Sequence, residues 1–229
     1  MKFVLLNGIR LALGEKEETL AAKAAAALKI KTDDIKELTI VRKSLDARRH
    51  RPPFFLYLLK VGIPTSVQLP RQPEIGIQVS ESEDIWEMPR ISPVTSPKLP
   101  VVIIGSGPAG LFAAYRLTQS GISTFILERG EPIEKRIKDV EAFWKTGMLN
   151  PQSNVFFGEG GAGTFSDGKL TSRSQNPNSH WVKEILVEMG ASSEILVESK
   201  PHIGTDKLRR IIINLRKKLI AMGCRIEFN

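Results

Sequence analysis

Residues 101–128, VVIIGSGPAGLFAAYRLTQSGISTFILE, constrain this chain more than any other stretch. Val101-Val102-Ile103-Ile104 is a short, wholly apolar run, the pattern of a parallel strand covered on both faces. Gly105, Gly107 and Gly110 follow as G-x-G-x-x-G. In such a turn the first glycine permits the tight bend, the second lets the backbone close on a pyrophosphate, and the third lets the helix sit against the strand. Pro108 falls at the first helical position, where its missing N–H costs nothing. The remaining free amides and the positive helix end then face phosphates. Leu111, Ala114 and Leu117 share the helix face turned to the sheet, and Gly121 ends the helix. Ser123–Leu127 reads as a second strand, with Glu128 at its carboxyl end. An acid there accepts hydrogen bonds from a ribose 2′-hydroxyl and repels a 2′-phosphate. The full series of strand, three glycines, helix, strand and acid predicts a dinucleotide site on an α/β fold.

Bulk properties exclude several classes. At 229 residues the chain can bury a sizeable core in one or two domains. No apolar run reaches the ~18–20 residues of a membrane span, and Phe3–Leu6 is too short for a signal-peptide core. A cytoplasmic location, with no membrane partner, is the expectation. Cys224 is the single cysteine, which rules out an intrachain disulfide or a C-x-x-C redox pair. Redox chemistry, if present, belongs to a bound cofactor. The net charge of +8 is evenly spread: 16 basic and 12 acidic residues up to position 98, 17 and 13 after it. The cluster Arg42-Lys43 and Arg48-Arg49-His50-Arg51 reads as a solvated hairpin face, since no aromatic platform interrupts it. A nucleic-acid partner is not expected.

Three regions are expected. Residues 1–68 form a small α+β domain, with strands Phe3–Leu6 and Ile9–Leu13 around the hairpin-type dipeptide Asn7-Gly8. A helix over Glu15–Lys29 and strands over Ile35–Lys43 and Phe54–Val61 complete it, Pro52-Pro53 lying between the last two. Residues 69–98 are a Pro-rich linker with at most a short strand near Ile75–Val79. Residues 99–229 form the nucleotide-binding domain, with helices over Pro132–Thr146, Asn178–Met189 and Thr205 to Gly223. The last carries the apolar stripe Leu208, Ile211, Ile212, Leu215, Leu219 and Met222. The final residues resemble a strand cut off as it begins, so the chain reads as the front part of a longer protein.

A second glycine loop, GEGGAGTFSDG at 158–168, holds five glycines with Thr164, Ser166, Asp167 and the following Lys169 among or beside them. Such a loop can turn several amides toward one anion or ring edge, and the aromatics Phe156, Phe157 and Phe165 predict that it is packed. Gly163–Lys169 also spells G-x-x-x-x-G-K, but Leu170 stands where a P-loop needs Ser or Thr for magnesium, and no strand leads into it. A nucleoside-triphosphatase is rejected. His202 sits before a helix and belongs to no metal-ligand cluster, so no metal site is expected.

ERG at 128–130, FGEGGAGTFSDGKLTSR at 157–173 and KPHIGTDKL at 200–208 together resemble a group of uncharacterised FAD-dependent oxidoreductases of the flavoprotein class with a glutathione-reductase-like, Rossmann-like FAD/NAD(P)-binding domain. Lys43–Arg48 resembles the front domain of the same group. The resemblance implies FAD as cofactor. Gly105, Gly107 and Gly110 would hold the pyrophosphate, with Ser106, Pro108 and Ala109 in the same turn. Glu128 would hold the ribose, and Arg129 would lie near the adenosine. Gly160, Gly161, Ala162, Gly163, Thr164, Ser166 and Lys169 would approach the pyrophosphate or flavin. Members of this group are about twice as long, so the substrate region and the catalytic residues are expected beyond position 229. NAD(P)H or another electron donor would be the redox partner of a small-molecule substrate that the residues do not name. An NAD-dependent dehydrogenase using the same turn, a flavoprotein acting on RNA, and a non-catalytic flavin-binding module stay open as alternatives.

Overall fold

The computed structural model describes residues 1–49, 51–69, 78–81, 99–170 and 178–229. They fall into two compact units: Met1–Glu87 with Leu196–Pro201, and Met88–Ile195 with His202–Asn229. Each has its own hydrophobic core. The linker expected at 69–98 lies largely outside the described residues.

The first unit is an antiparallel four-stranded sheet with one helix. β1 (Lys2–Ala12), α1 (Leu20–Leu28), β2 (Glu37–Asp46), β3 (Phe54–Ile63) and β4 (Gln78–Glu81) follow in sequence, and the strands lie in the order β2-β3-β1-β4. Asn7-Gly8 does not make a hairpin. The chain runs straight through as one strand, and the dipeptide makes an irregularity in the pairing with β3 between Asn7 and Ile9. Gly8 takes φ +109°, the positive-φ state that a bulge of this kind needs. The extra residue keeps alternation intact on both sides, so Val4, Leu6, Ile9 and Leu11 are all buried. They pack with α1 residues Leu20, Ala24, Ala27 and Leu28 and β3 residues Tyr57, Leu59, Val61 and Ile63. The helix expected from Glu15 begins as a 3₁₀ turn at Glu17–Thr19 and ends at Lys29 in the left-handed region, φ 56°. Within this unit the backbone of Lys43, on edge strand β2, exchanges hydrogen bonds with Val197 and Ser199 (2.7 and 2.9 Å). One member of the basic cluster, Arg51, lies 5.0 Å from the Phe54 ring centre, so an aromatic does reach that cluster through the fold.

The second unit is mixed α/β. β5 (Val101–Ile104), β6 (Thr124–Glu128) and β7 (Arg225–Phe228) form a parallel sheet in that order. Between them come α2 (Pro108–Gln119), α3 (Ile133–Thr146), α4 (Asn178–Glu188) and α5 (Thr205–Ala221). Gly147 closes α3 at φ 74°. The α5 stripe Leu208, Ile211, Ile212, Leu215 and Leu219 is buried against Leu111 and Ala114 of α2 and Ile126 of β6. On α2 the third buried position is Tyr115 rather than Leu117, which is only half-buried. The Tyr115 ring packs edge-on against Trp181, and its hydroxyl donates to the exposed Glu188 (2.9 Å).

The strand expected to be covered on both faces is covered on one. Ile103, Ile126 and Ile226 face the helices, whereas Val102 is 51 % and Ile104 79 % exposed. Among the described residues nothing is packed over them. The apolar run is therefore right for a parallel strand, but its second face is open here.

Candidate functional site

The carboxyl ends of β5 and β6 open onto a cavity of about 370 Å³ lined by Gly105, Gly107, Glu128, Arg129, Phe157 and Gly161, among others. Four features build it, beginning with the turn after β5. Gly105 has φ +94°, and its N–H donates to Leu127 O at 2.7 Å, tying the turn to β6. A Cβ on Gly110 would run into the carbonyl oxygen of Gly105, so α2 reaches the turn only because that side chain is missing. Gly107 differs from both. Its φ and ψ of −69° and 178° suit any residue, and a Cβ there meets nothing within 4 Å. Nothing in the described chain requires glycine at that place. The open space is where a group drawn close to the backbone would lie, and the amides of the first α2 turn, with Pro108 contributing none, are unpaired inside the helix.

The second feature is Glu128, 8 % exposed at the end of β6. One carboxylate oxygen accepts from the N–H (2.7 Å) and hydroxyl (2.9 Å) of Ser106, and the other from Gly130 N–H (2.8 Å). A carboxylate has about four acceptor positions, so one stays available at the cavity wall. Glu128 thus clamps the glycine turn as well as facing the cavity. Ser106 is fully buried and spends both donors on that clamp, so its role is to orient the acid.

The third feature is the second glycine loop, which docks on the first turn. Gly160 N–H donates to Ser106 O (2.9 Å), and a Cβ on Gly161 would lie 3.3 Å from Pro108 Cδ and 3.5 Å from Gly107 Cα. The two glycine-rich segments, more than 40 residues apart in sequence, therefore meet. Not all the loop residues singled out above reach the cavity. Thr164 is buried, with its hydroxyl on Glu159 O (3.3 Å). The Ser166 hydroxyl turns back onto Gly163 O (2.7 Å). Lys169 pairs with Asp167 (2.9 Å) at the surface, and its backbone bridges His202. Ala162 and Gly163 are exposed in the 3₁₀ turn Ala162–Phe165, beside the cavity rather than lining it.

The fourth feature is Arg136, fully buried on α3, which sequence reasoning missed. Its guanidinium donates to the carbonyl oxygens of Asn154 (2.8 Å), Val155 (2.7 Å), Glu159 (2.7 Å) and Gly161 (2.8 Å), with a longer contact to Gly158 (3.4 Å). Burial pulls its pKa down to about 10, still charged at neutral pH. Gly158 is glycine because a Cβ would press on Arg136 Cδ at 2.7 Å. One clue lay in the sequence: Ile133, Arg136 and Val140 share a helical face, which puts a basic residue in an apolar stripe. Beside it, Glu159 is 1 % exposed and accepts from Ile133 N–H (2.9 Å), at the start of α3, and from Arg216 (3.1 Å). Burial raises its pKa to about 7.

Residues 98–141 match the family described as an FAD binding domain, so FAD is the cofactor of the segment that holds β5, the glycine turn, α2 and Glu128. Residues 5–62 match a family described as a domain of unknown function, DUF8436. An uncharacterized protein of Clostridium beijerinckii is 37 % identical over 231 residues, covering 99 % of this chain. The chain spans 42 % of that relative's length. Among the described residues no helix is long and apolar enough to cross a membrane. The cavity fits the diphosphate and sugar of FAD on the grounds already given: open space at Gly107, and a carboxylate with one acceptor position left.

Proposed function

We propose that this chain is the FAD-binding front part of an FAD-dependent oxidoreductase, with a Rossmann-like βαβ unit as its nucleotide cradle. The observation that carries the reading is the docking of the second glycine loop onto the first beside Glu128. In this reading Gly105, Gly107 and Gly110 with Pro108 and Ala109 receive the diphosphate, Glu128 takes a ribose hydroxyl, and Ser106 aims Glu128. Gly160 and Gly161 close the cradle, and Ala162 and Gly163 continue its rim. When bound, the isoalloxazine supplies hydride or electron transfer, and the protein supplies position and electrostatics. The acid at 128 favours an unphosphorylated ribose. Substrate, electron donor and the residues that move protons belong to the whole protein, of which this chain offers the cofactor site.

The test is the visible spectrum of the purified full-length protein before and after heat release of its ligand. A yellow protein releasing FAD is expected, and Gly107→Val should purify colourless, since its side chain fills the diphosphate's place. A colourless parent protected from heat by NAD would replace this reading with a nicotinamide-dependent dehydrogenase.

A further inference from the structure

We infer that the second face of the first unit's sheet binds a single-stranded polynucleotide, with Arg10, Arg42 and Lys60 on its phosphates and Phe54 under a base. The inference concerns the front unit and does not rest on the FAD reading.

The sheet is covered on one side. α1 packs on the face that carries Val4, Leu6, Tyr57 and Leu59. Alternation sends the side chains between those positions to the opposite face, and the pairing register fixes their neighbours there. Leu58 of β3 lies between Arg42 of β2 and Asn7 of β1. Leu56 lies between Ser44 and Arg10, and Lys60 between Thr39 and Leu5. Leu5, Leu56 and Leu58 are part-buried, whereas Arg10 and Arg42 are exposed. The face is therefore a shallow apolar floor with one cation on each of three adjacent strands.

Its charge is uncompensated. Among the described residues no ion pair takes up Arg10, Arg42 or Lys60. The acids on these three strands that share the face stand at its two ends. Glu37 is beside Gly62, and Asp46 is beside Phe54, where Arg48 (2.6 Å) and Arg51 hold it in ion pairs. The middle of the floor is left to the cations, which suits an anionic partner.

The aromatic rings narrow the class of that partner. A basic run with no aromatic in it is ordinarily solvated surface, but strand pairing brings rings to these cations from distant positions. Arg10 and Arg51 lie 5.1 and 5.0 Å from the Phe54 ring centre, and Lys60 lies 4.3 Å from that of Phe3. Phe3 and Phe54 belong to β1 and β3, the two central strands. Rings and guanidinium planes on a basic surface stack unpaired bases of any sequence, and a flat sheet with aromatics on it accepts splayed-out bases. An acidic peptide would meet the same cations and leave the rings unused.

The test is fluorescence anisotropy of a labelled oligouridylate, about 12 nucleotides long, titrated with the full-length protein. The parent should bind it. Its affinity should fall about twentyfold between about 50 and 200 mM salt, the change for three neutralised phosphates of a single strand. The triple variant R10Q/R42Q/K60Q should lose binding and melt near the parent. Phe54→Leu should weaken binding about tenfold with the salt slope unchanged, and Phe54→Trp, which keeps a ring at that place, should bind as the parent does. A parent that leaves the oligouridylate free at about 50 mM salt overturns the inference. So does a triple variant that binds as the parent does while Lys207→Gln with Arg210→Gln abolishes binding, which moves the site to α5. If F54L binds like the parent, and polyglutamate or phosphatidylserine vesicles displace the oligouridylate equally well from both, the face is a general anion surface and no base stacks on it.

Discussion

Gly107 and Gly110, in one turn, serve different ends, and substitution separates them. Gly110 is glycine for the protein's own sake, because any side chain collides with Gly105 O. Gly110→Ala should cost roughly 3 kcal/mol or more of stability by overpacking a backbone contact, seen as a lower melting temperature with or without FAD. Gly107 has open space and an ordinary backbone, so Gly107→Ala should melt near the parent yet bind FAD poorly. A G107A protein that melted much lower while still binding FAD would reverse these roles. The spacing of the glycines was legible in the sequence. The difference between them was not, since it depends on what each Cβ would meet. Arg136 was hidden for a related reason: its partners are carbonyl oxygens, which every residue possesses and no sequence pattern marks. Arg136→Met should leave four well-placed carbonyls without their donor. It should destabilise the second unit by about 3 kcal/mol or more, and denaturant melts of parent and variant would measure the loss.

At the scale of elements, periodicity located the helices of the second unit well because each has a stripe and a glycine stop. Gly147, Gly190 and Gly223 all take positive φ just past their helices. It failed at Asn7-Gly8, where the local turn preference was overridden by pairing on both sides of β1, with β3 and β4. The joint between α3 and the second loop carries a pH dependence of known sign. Buried Glu159, beside Arg216, Arg136 and Glu134, titrates near 7, against an ordinary value of 4.5. Between those values the folded protein holds a proton that the unfolded chain has released. Stability is therefore lost as pH rises from about 5 to 7 and stays low above it, by up to roughly 3 kcal/mol for this group. Glu159→Gln cannot ionise, so its denaturant midpoint should fall less than the parent's between pH 5 and pH 8. An equal fall in both proteins would mean that Glu159 is ionised throughout.

At the scale of the whole molecule, the sequence separated a front α+β region from a nucleotide-binding region by composition and by the glycine turn. What it could not convey is that Leu196–Pro201, far along the chain, groups with the first unit. Val197 and Ser199 of that segment exchange backbone hydrogen bonds with Lys43, and main-chain pairing of so short a segment leaves no trace in residue type. The two separate cores make a definite statement about where the cofactor acts. A ligand that binds only the folded state stabilises it by mass action, about 2.7 kcal/mol at a concentration 100 times Kd. Every group we assign to FAD lies in the second unit. Hydrogen exchange of the full-length protein with and without FAD should therefore slow at residues 105–110, 129–130 and 156–163, whose amides form or border the cavity. Exchange in β1 and β3, paired along their length around their own core, should stay as it is. Slowing in β1 and β3 with none at 105–110 would move the cofactor out of the βαβ turn and into the front unit.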